Sequence, residues 1–469
     1  MSISETRTEK DSIGLREIPK DVYYGIQTDR AVENFPISGL RAHPRFIDAY
    51  VYIKKAAAIA NLSAGELPRA SADAIVKACD EILSGGLNDQ FPVDVFQMGA
   101  GTAFNMNVNE VIANRANEIL GGKKGSYAPV NPNDHVNMGQ STNDTFPTAC
   151  RIALRLILRE YLYGPLTVLE KAFFAKGVEF DDILKSARTH LQDAVPIRLG
   201  QEFAAYGEAV KKCRLSILRA EQSLAELGIG GSAAGTGLNT AQGYREAIIK
   251  ELEKLTRLSF VPAPDMREAM QSQRPLAEVS GSLRNLALEI TRIMNDLRLL
   301  SSGPTTGLAE INLPAMAPGS SIMPGKVNPS ILEMVNMVAF QAIGADTVVA
   351  LAVQAGQLEL NVMMPVMAFN LNFSTTIFGN ALKILREKCV TGITANQDRC
   401  RHYAESSMGL ATALNASVGY AKAAEVAKEA LRSKKTIIQV IREKKILSEA
   451  DIQSVMDPVR MTEPGIPGK

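Results

Sequence analysis

The chain has 469 residues, of which 46% are apolar, so it is long enough for two or three domains with separate cores. Its 51 basic and 50 acidic residues are interspersed, and a net charge of +1 leaves no basic face for nucleic acid. The longest apolar run, residues 334–354, contains Asn336, Gln341 and Asp346, which indicates a helix buried in protein rather than a membrane span.

The cysteines are odd in number and widely separated, and none belongs to a CxxC pair. This pattern predicts free thiols in a reducing compartment, and it indicates neither a zinc site nor a disulfide framework. Residues 1–12 are polar and mixed in charge, without the features of a secretory or transit peptide. We therefore expect a cytoplasmic protein. The five cysteines are Cys79, Cys150, Cys213, Cys389 and Cys400.

Taken in order, the chain predicts an all-α protein of three domains. Residues 1–143 combine short elements with frequent Gly, Pro and Asn, and residues 397–469 carry short helices and a Pro/Gly tail. Between them, residues 144–396 have apolar side chains at every third or fourth position, which predicts a central bundle of long helices. The expected helices are 45–62 and 70–84, then 147–175, 196–227, 266–302, 329–355 and 361–390, then 401–414, 418–432, 435–443 and 448–455, with bends at Pro275 and Pro365.

Several central helices are apolar on more than one side. Residues 332–351 are the clearest example, because Met334, Val335, Met337 and Val338 follow one another closely. One chain cannot easily cover such a helix, so we expect central helices from several chains to pack together. The alternative is a monomer in which the first and last domains cover the bundle.

Residues 318–329 form a loop that is rich in reactive side chains. Gly319 and Gly325 give the backbone freedom, so Ser320, Ser321 and Lys326 can approach a ligand closely. Asn328 is expected to cap a helix that begins near Pro329, and a lysine with hydroxyls at a helix N-terminus predicts an anion site. The alternative is an ordinary connecting loop whose serines cap the backbone.

Two nucleotide-binding patterns are excluded by their spacing. In the 318–329 loop, five residues separate the two glycines and Val327 follows Lys326, whereas a P-loop requires four residues and a Ser or Thr. Residues 228–233 match GxGxxA, but they follow a predicted helix rather than a strand and lie outside any βαβ unit. We interpret this second segment as a loop at the end of the bundle.

Three further polar clusters, residues 99–110, 131–144 and 188–193, place hydroxyl and amide side chains near the starts of helices. They are suited to a dicarboxylate, because Lys326 and His190 supply positive charge and the other side chains supply directed donors. Removing a proton beside a carboxylate adds negative charge to it, and a serine on a glycine-rich loop is a candidate base for that step. The candidate donors are Thr102, Ser141, Thr142, Asn143, Thr189 and Asn328.

These clusters resemble the aspartase/fumarase superfamily over nearly the whole chain. The matching segments are 319–329, 101–110, 140–144, 188–193 and 356–362. Within the family, the details are similar to the aspartase branch, which implies reversible elimination of ammonia from L-aspartate to give fumarate. The segments that carry this second likeness are 24–28, 140–144, 360–363 and 464–466.

The resemblance implies a three-domain all-α subunit, a homotetramer with active sites composed from three subunits, and no organic cofactor. It implies that Ser320 is the base that takes the Cβ proton of aspartate, and that Glu333 orients site groups. The residues implied to hold the β-carboxylate are Thr102, Ser141, Thr142 and Ser321. Those implied to hold the α-carboxylate are Thr189, Lys326 and Asn328, and those implied to contact the amino group are Asn143 and His190.

Three positions depart from the family pattern by losing a charge, namely Thr305, Met316 and Met364. Either the three charges are lost together as neighbours, which leaves the reaction intact, or they mark a changed substrate, with elimination from another aspartate-like acid. Fumarase-type hydration of fumarate is the other related reaction that stays open. A scaffold without catalysis, like a lens crystallin, is disfavoured because the site residues are present. Activation by Mg²⁺ from a separate site is not tied to any carboxylate cluster. The other histidines, His43, His135 and His402, are expected at the surface or as caps.

Overall fold

A computed structural model of the chain describes residues 5–468. These residues divide into two compact units, each assembled from three separate segments. Unit 1 contains the described residues up to Tyr163 together with Leu215–Ala287 and Phe340–Phe378. Unit 2 contains Gly164–Arg214, Leu288–Ala339 and the described residues from Gly379 onward. The division into domains 1–143, 144–396 and 397–469 stays a prediction.

The expected all-α class is confirmed. Strands within residues 5–468 form only two-stranded sheets, β1–β2, β3–β4, β5–β6 and β7–β8. The helices are α1 Ile26–Asn34, α2 Pro44–Ser63, α3 Arg69–Leu83, α4 Thr102–Ile119, α5 Thr142–Ile157, α6 Tyr163–Glu179, α7 Leu199–Glu221, α8 Tyr244–Thr256, α9 Met266–Gln271, α10 Arg274–Leu300, α11 Ser330–Gln354, α12 Met364–Lys388, α13 Gln397–Ser406, α14 Asn415–Val418, α15 Tyr420–Ser433, α16 Ile437–Glu443 and α17 Glu449–Val455. The strands are β1 Thr6–Lys10, β2 Leu15–Pro19, β3 Leu184–Thr189, β4 Gln192–Arg198, β5 Glu226–Leu227, β6 Val261–Pro262, β7 Ile311–Asn312 and β8 Thr394–Ala395.

The prediction of a helix from residue 196 is wrong at its start. Residues 184–198 form an antiparallel hairpin, with Ser186 opposite Pro196 and an irregularity between Ser186 and Arg188. A proline has no N–H for a ladder, but it is tolerated in a two-stranded sheet because both strands are edges. Helix α7 therefore begins only at Leu199.

The two prolines that were expected to bend long helices lie instead at the starts of these helices. The predicted helix over 266–302 is interrupted at residues 272–273, and Pro275 is the second residue of α10. Pro365 has the same position in α12, so neither proline produces the expected bend. Pro147 lies inside α5, which begins five residues earlier than expected because Ser141 and Asp144 form a capping box.

Unit 1 is organised around α2. This helix packs against α3, α5 and α8, and it contributes Phe46 and Tyr50 to an aromatic cluster. Phe104 of α4 lies 5.3 Å from both rings, and Phe146 of α5 lies 5.1 Å from Phe46 and 5.8 Å from Tyr50, measured between ring centroids. The cluster fixes the first turns of α4 and α5, where the polar residues of unit 1 lie.

Unit 2 contains the β3–β4 hairpin, which packs against α13. A second aromatic cluster contains Phe173 of α6, Phe180 directly after α6, and Phe203 and Tyr206 of α7. Their ring centroids are separated by 5.2 to 6.4 Å. The short helices near the C-terminus have their own apolar core, which includes Leu414 of the segment before α14. The contact with α13 anchors strand β3 of the hairpin in unit 2.

Helix α11 is the one helix within residues 5–468 that is long and apolar enough to cross a membrane, judged by length and composition. Polar contacts nevertheless occur along it. Asn336 donates to Asn295 over 3.0 Å, and Arg284 donates to the Asp346 carboxylate over 3.1 Å. Only 39% of its most apolar window is buried in the single chain. The exposed large apolar side chains of α11 are Met337, Phe340 and Leu351.

Candidate active site

Two helix N-termini in unit 1 carry four of the predicted site residues. Thr102 is the first residue of α4, and Thr142 is the first residue of α5, capped by Ser141. Gly101 has a φ of 81°, and a Cβ at this position would lie 1.9 Å from the Phe146 ring. Only glycine permits this close approach of the backbone. Free N–H groups and hydroxyls at such helix starts are suited to an anion, and this region is the predicted anion site of unit 1.

Asp144 connects the start of α5 to the glycine-rich loop at residues 228–233. Its carboxylate is fully buried and accepts from the N–H groups of Ser141 (2.9 Å), Gly230 (3.0 Å) and Ser232 (3.0 Å). Burial raises the pKa of Asp144 to about 6, although these three hydrogen bonds oppose the change. The loop therefore stabilises the start of α5, where the predicted anion site lies.

Asn143 makes a second connection to the same loop. Its Nδ2 donates to the carbonyl oxygen of Ala233 over 2.9 Å. This bond uses one of the two amide hydrogens, and the Oδ1 atom, which has no donor among residues 5–468, can accept from a ligand. An acceptor at this position is suited to an ammonium group.

Lys54 is buried beneath the anion site of unit 1. Its Nζ donates to the side-chain oxygens of Asn105 (2.8 Å), Asn137 (2.9 Å) and Gln140 (3.0 Å). Burial lowers the pKa of Lys54, and the negative charge of Asp144 opposes that change. Lys54 is not among the predicted site residues, although a lysine within the apolar run 50–60 is a visible signal of a buried partner.

Thr102 also lines a cavity of about 440 Å³ in unit 1. Glu110 of the same helix borders this cavity, and its buried carboxylate accepts from the N–H groups of Gly25 and Thr28 and from the Thr28 hydroxyl. Burial raises the pKa of Glu110 to about 7, against these hydrogen bonds. Glu110 thus attaches the segment before α1 to the helix that begins at Thr102.

The tip of the β3–β4 hairpin in unit 2 carries Thr189 and His190. A two-residue turn joins the strands, and His190 and Leu191 have φ values of 57° and 60°. Both central residues at positive φ define a type I′ turn, which Asn and Gly normally occupy. Residues held in this conformation without glycine are common at functional sites. The turn places His190 at the end of the hairpin.

A buried ion cluster supports this hairpin from below. The Glu310 carboxylate is fully buried, 2.8 Å from Arg188 Nη1 and 2.8 Å from Lys185 Nζ, and Lys185 also pairs with Glu202. The Arg188 guanidinium lies over the Tyr403 ring at 5.0 Å. Since Arg188 directly precedes Thr189, these contacts fix the strand that leads to the tip.

The loop at residues 318–329 lies in unit 2 and carries Ser320, the predicted base. Ser320 Oγ accepts from the N–H groups of Ile322 (3.2 Å) and Met323 (2.9 Å). Hydrogen bonds to the oxygen favour its deprotonated form, which a serine base requires. Lys326 is exposed on the same loop, and its carbonyl oxygen accepts from the Gly319 N–H over 2.7 Å. Ser321 is also exposed.

The expected helix start near Pro329 is confirmed within one residue, but the expectation that Asn328 caps this helix is wrong. Helix α11 begins at Ser330, and the carbonyl oxygen of Pro329 accepts from Glu333 N–H. Asn328 Nδ2 instead donates to the Gly319 carbonyl over 2.7 Å, and this bond closes the base of the loop. One N–H of the amide is used in this way, so the second N–H remains for a ligand.

Of the ten predicted site residues, four lie in unit 1 and six in unit 2. Those in unit 1 are Thr102, Ser141, Thr142 and Asn143. Those in unit 2 are Thr189, His190, Ser320, Ser321, Lys326 and Asn328. Within unit 1, Asn105 links α4 to Thr142 directly, by a 3.0 Å hydrogen bond. The roles of these ten residues stay predictions.

The histidines outside the predicted site are caps or lie at the surface, as expected. His43 Nδ1 accepts from Arg45 N–H at the start of α2, and His135 Nδ1 accepts from Asn131 N–H. His402 is exposed. No group of three His, Cys, Asp or Glu side chains that could hold a metal ion occurs within residues 5–468.

The three positions that lost a charge have different surroundings. Met364 is fully buried at the start of α12 in unit 1. Met316 is exposed in unit 2, and the carbonyl oxygen of Thr305 accepts from Arg399 over 3.4 Å. A buried carboxylate at residue 364 would need a counter-charge, whereas the uncharged Met364 side chain does not.

The helical fold and these polar clusters define a lyase: the chain belongs to the aspartase/fumarase superfamily. A family model described as "Lyase" matches residues 14–344, and one described as "Fumarase C C-terminus" matches residues 410–463. Among its relatives, the aspartate ammonia-lyase of Bacillus subtilis is 48% identical over 99% of this chain and 98% of its own length. The aspartate ammonia-lyase of Escherichia coli is 46% identical over 99% of this chain and 97% of its own length.

Solved structures show the same fold. A structure described as fumarate lyase:delta crystallin from Brucella melitensis bound to cobalt has a TM-score of 0.94 and 48% identity, covering 98% of this chain and all of that one. A recombinant class II fumarase from Schistosoma mansoni has a TM-score of 0.96 and 35% identity over the same shares. The predicted superfamily fold is confirmed by these likenesses.

Proposed function

We infer that the protein is an aspartate ammonia-lyase, which eliminates ammonia from L-aspartate reversibly to give fumarate. The observation that carries this inference is 46–48% identity to aspartate ammonia-lyases along nearly the whole length of both chains. The matched lengths span every predicted site segment. The helix starts in unit 1 and the serine loop in unit 2 supply the donor types that the reaction requires.

The first chemical step is removal of the Cβ proton by Ser320. The two N–H groups that point at Ser320 Oγ stabilise the alkoxide before it takes the proton. The electrons of the C–H bond pass to the β-carboxylate, which becomes a doubly charged aci-carboxylate. Hydroxyls and N–H groups at helix starts stabilise this charge as it develops. The residues in this role are Thr102, Ser141, Thr142 and Ser321.

The second step breaks the Cα–N bond and returns the electrons to form the double bond of fumarate. Asn143 Oδ1 and His190 hold the departing amino group, since an acceptor orients an ammonium. Thr189, Lys326 and Asn328 hold the α-carboxylate, to which Lys326 contributes positive charge. Asn328 donates to this carboxylate through its second amide N–H, since the first is bonded to the Gly319 carbonyl oxygen.

We propose further that four chains assemble and that each active site combines these residues from different subunits. The exposed apolar side chains of α11 support assembly, because large apolar patches on one chain are normally covered by another. We propose that the reaction uses no organic cofactor, since protein donors suffice for each step. The buried free thiols of all five cysteines support a reducing compartment, which we propose to be the cytoplasm.

Hydration of fumarate to malate is the second candidate. The TM-score of 0.96 with a class II fumarase favours it, because the backbone that carries the site is nearly the same in that enzyme. Elimination from another aspartate-like acid is a further outcome, which the altered charges at Thr305, Met316 and Met364 would permit. The three reactions share the serine base and differ in the group that leaves.

A substrate panel with purified wild type and Ser320→Ala separates these outcomes. Fumarate absorbance is followed with aspartate, malate and N-substituted aspartates at equal concentration. We expect aspartate to be preferred, and Ser320→Ala to lose about 10³-fold in kcat because the general base is gone. Ser321→Ala is the matched control, and it should lose only about 10-fold because it removes one donor.

Clear preference for malate would replace the proposed activity with the hydratase. Undiminished activity in Ser320→Ala would remove the proposed base while leaving the substrate assignment intact. Failure of the wild type on every acid in the panel would support the scaffold alternative.

A further inference from the structure

Lys54 donates to three acceptors, and this geometry favours its charged form. The side-chain oxygens of Asn105, Asn137 and Gln140 all lie within 3.0 Å of Nζ. An ammonium has three donors, one for each oxygen, whereas a neutral amine has two. Asn137 Oδ1 also accepts from Asn109 Nδ2 over 3.2 Å, but the Asn105 and Gln140 oxygens have no other donor among residues 5–468, so losing the contact with Lys54 would be costly there.

The contact from Lys54 determines which way the Asn105 amide faces. Since Oδ1 accepts from the ammonium, Nδ2 must lie on the other side, where it donates to Thr142 Oγ1 over 3.0 Å. Thr142 Oγ1 therefore acts as an acceptor toward Asn105. Among residues 5–468, the hydroxyl hydrogen of Thr142 has no acceptor of its own. That hydrogen is left for a ligand.

The same ammonium holds the chain segment that precedes Thr142. Gln140 accepts from Lys54 and donates to the carbonyl oxygens of Val136 and Met138, each over 3.1 Å. Asn137 accepts from Lys54 and donates to the Gln140 carbonyl oxygen over 3.1 Å. Thr142 is thus fixed in position by the backbone of residues 136–140 and fixed in polarity by Asn105.

We propose that Lys54 and Asn105 are positioning residues that fix the Thr142 hydroxyl as a donor to the substrate β-carboxylate. A carboxylate only accepts hydrogen bonds, and its demand for donors grows as the aci-carboxylate forms. A threonine hydroxyl could otherwise rotate and present a lone pair to the anion. This inference rests on the proposed function, because it deepens the role of Thr142 in that reaction.

Asn105→Asp tests the polarity directly. The new carboxylate keeps its contact with the Lys54 ammonium, but it presents an acceptor to Thr142 in place of a donor, so the hydroxyl turns toward it and away from the substrate. Thr142→Val removes the hydroxyl without a change of shape. Lys54→Met removes the ammonium at similar length. Circular dichroism and thermal denaturation establish that each variant is folded.

We expect Thr142→Val and Asn105→Asp each to lower kcat/KM for aspartate by about 10- to 100-fold, mainly through kcat. Lys54→Met alone should lower kcat/KM by about 10-fold. Added to Thr142→Val, it should lower kcat/KM by less than about 2-fold, because both changes remove the same interaction. A purely structural role for Lys54 would make the two losses multiply. Lys55→Met is the matched control on the same helix, since Lys55 pairs with Asp80, and it should keep wild-type kcat/KM.

Wild-type kcat/KM in a folded Asn105→Asp, or multiplied losses in the Lys54→Met and Thr142→Val pair, would overturn the inference while the wild type still consumes aspartate. If Lys54→Met does not fold, Asn105→Asp decides alone, because its ion pair with Lys54 is retained. A wild type inactive on the whole substrate panel would instead overturn the proposed function, and the inference would fall with it.

Discussion

The Asp94 carboxylate accepts four hydrogen bonds at the turn before α4. The donors are Ser38 N–H (2.7 Å), Ser38 hydroxyl (2.8 Å), Gly39 N–H (2.8 Å) and Phe96 N–H (2.9 Å). Burial alone would raise the pKa of Asp94, but these bonds outweigh it and hold the pKa below its ordinary value. A depressed carboxylate pKa stabilises the fold above the unfolded pKa of about 3.8, and this contribution is lost as pH falls through the folded pKa.

Asp94→Asn should therefore lower the free energy of unfolding at pH 7 by about 1–3 kcal/mol, because an amide cannot accept all four bonds. The difference from wild type should shrink as pH falls below about 4. Urea unfolding at pH 7 and pH 3.5 measures both values. Asp80→Asn is the control, because Asp80 is 54% exposed, and it should stay within about 1 kcal/mol of wild type at both values. An Asp94→Asn deficit that does not change with pH would contradict this assignment.

At this scale, the sequence carries a local signal for candidate ligand-binding side chains, but none that identifies the residues that hold them in place. Hydroxyls and amides in short clusters near helix starts carry a local signal, so Thr142 and Asn143 could be selected. Lys54 and Asp144 could not, because their role depends on contacts with residues 51 to 88 positions away in sequence. Spacing along one helix does not encode such contacts.

At the scale of elements, the β3–β4 hairpin depends on the ion cluster at Glu310. This carboxylate comes from the segment before β7, and it neutralises Lys185 and Arg188 of β3 in a buried setting. Removing one member of such a cluster leaves charges without compensation, which costs more than the cluster itself contributes. The hairpin tip with His190 is connected to this cluster through Arg188.

Glu310→Gln should lower the free energy of unfolding by about 3–5 kcal/mol, because two buried cations lose their shared partner. Activity should fall with it, since Arg188 no longer fixes the strand before Thr189. Glu463→Gln is the control: Glu463 is 54% exposed and pairs with Arg198 at the far end of β4, so the loss should be at most about 1 kcal/mol. Chemical unfolding and initial rates on aspartate measure both, and equal losses in the two variants would contradict the argument.

Long helices are predicted well from this sequence, and the hairpin is not. The apolar repeat fixes α11 and α12 to within three residues of their ends, since that repeat is local. The hairpin has little alternation, because its strands carry buried Lys185 and Ser186 where apolar residues would be expected. Its stability comes from Glu310, which lies more than 120 residues away from Arg188.

At the scale of the whole molecule, helix α11 has large apolar side chains that a single chain leaves exposed. Met337, Phe340 and Leu351 are 66%, 56% and 56% exposed, and their spacing places them along one side of the helix. A single chain gains nothing from large apolar side chains in water. The sequence predicts this exposed apolar surface, but the spacing of apolar residues along one helix does not identify what covers it.

Met337→Glu tests the proposed assembly. Four copies of the change would place four charges within the contacts between α11 helices, and burying an unpaired carboxylate costs several kcal/mol. Light scattering after size exclusion should therefore give a particle of four 50.6 kDa chains for wild type and a smaller one for the variant. Activity on aspartate should fall in parallel, since composite sites need more than one chain.

Leu431→Glu is the control, because Leu431 is 71% exposed on α15, away from α11 in sequence, and it should leave mass and rate unchanged. A wild type that is monomeric yet fully active would refute both the assembly and the composite sites.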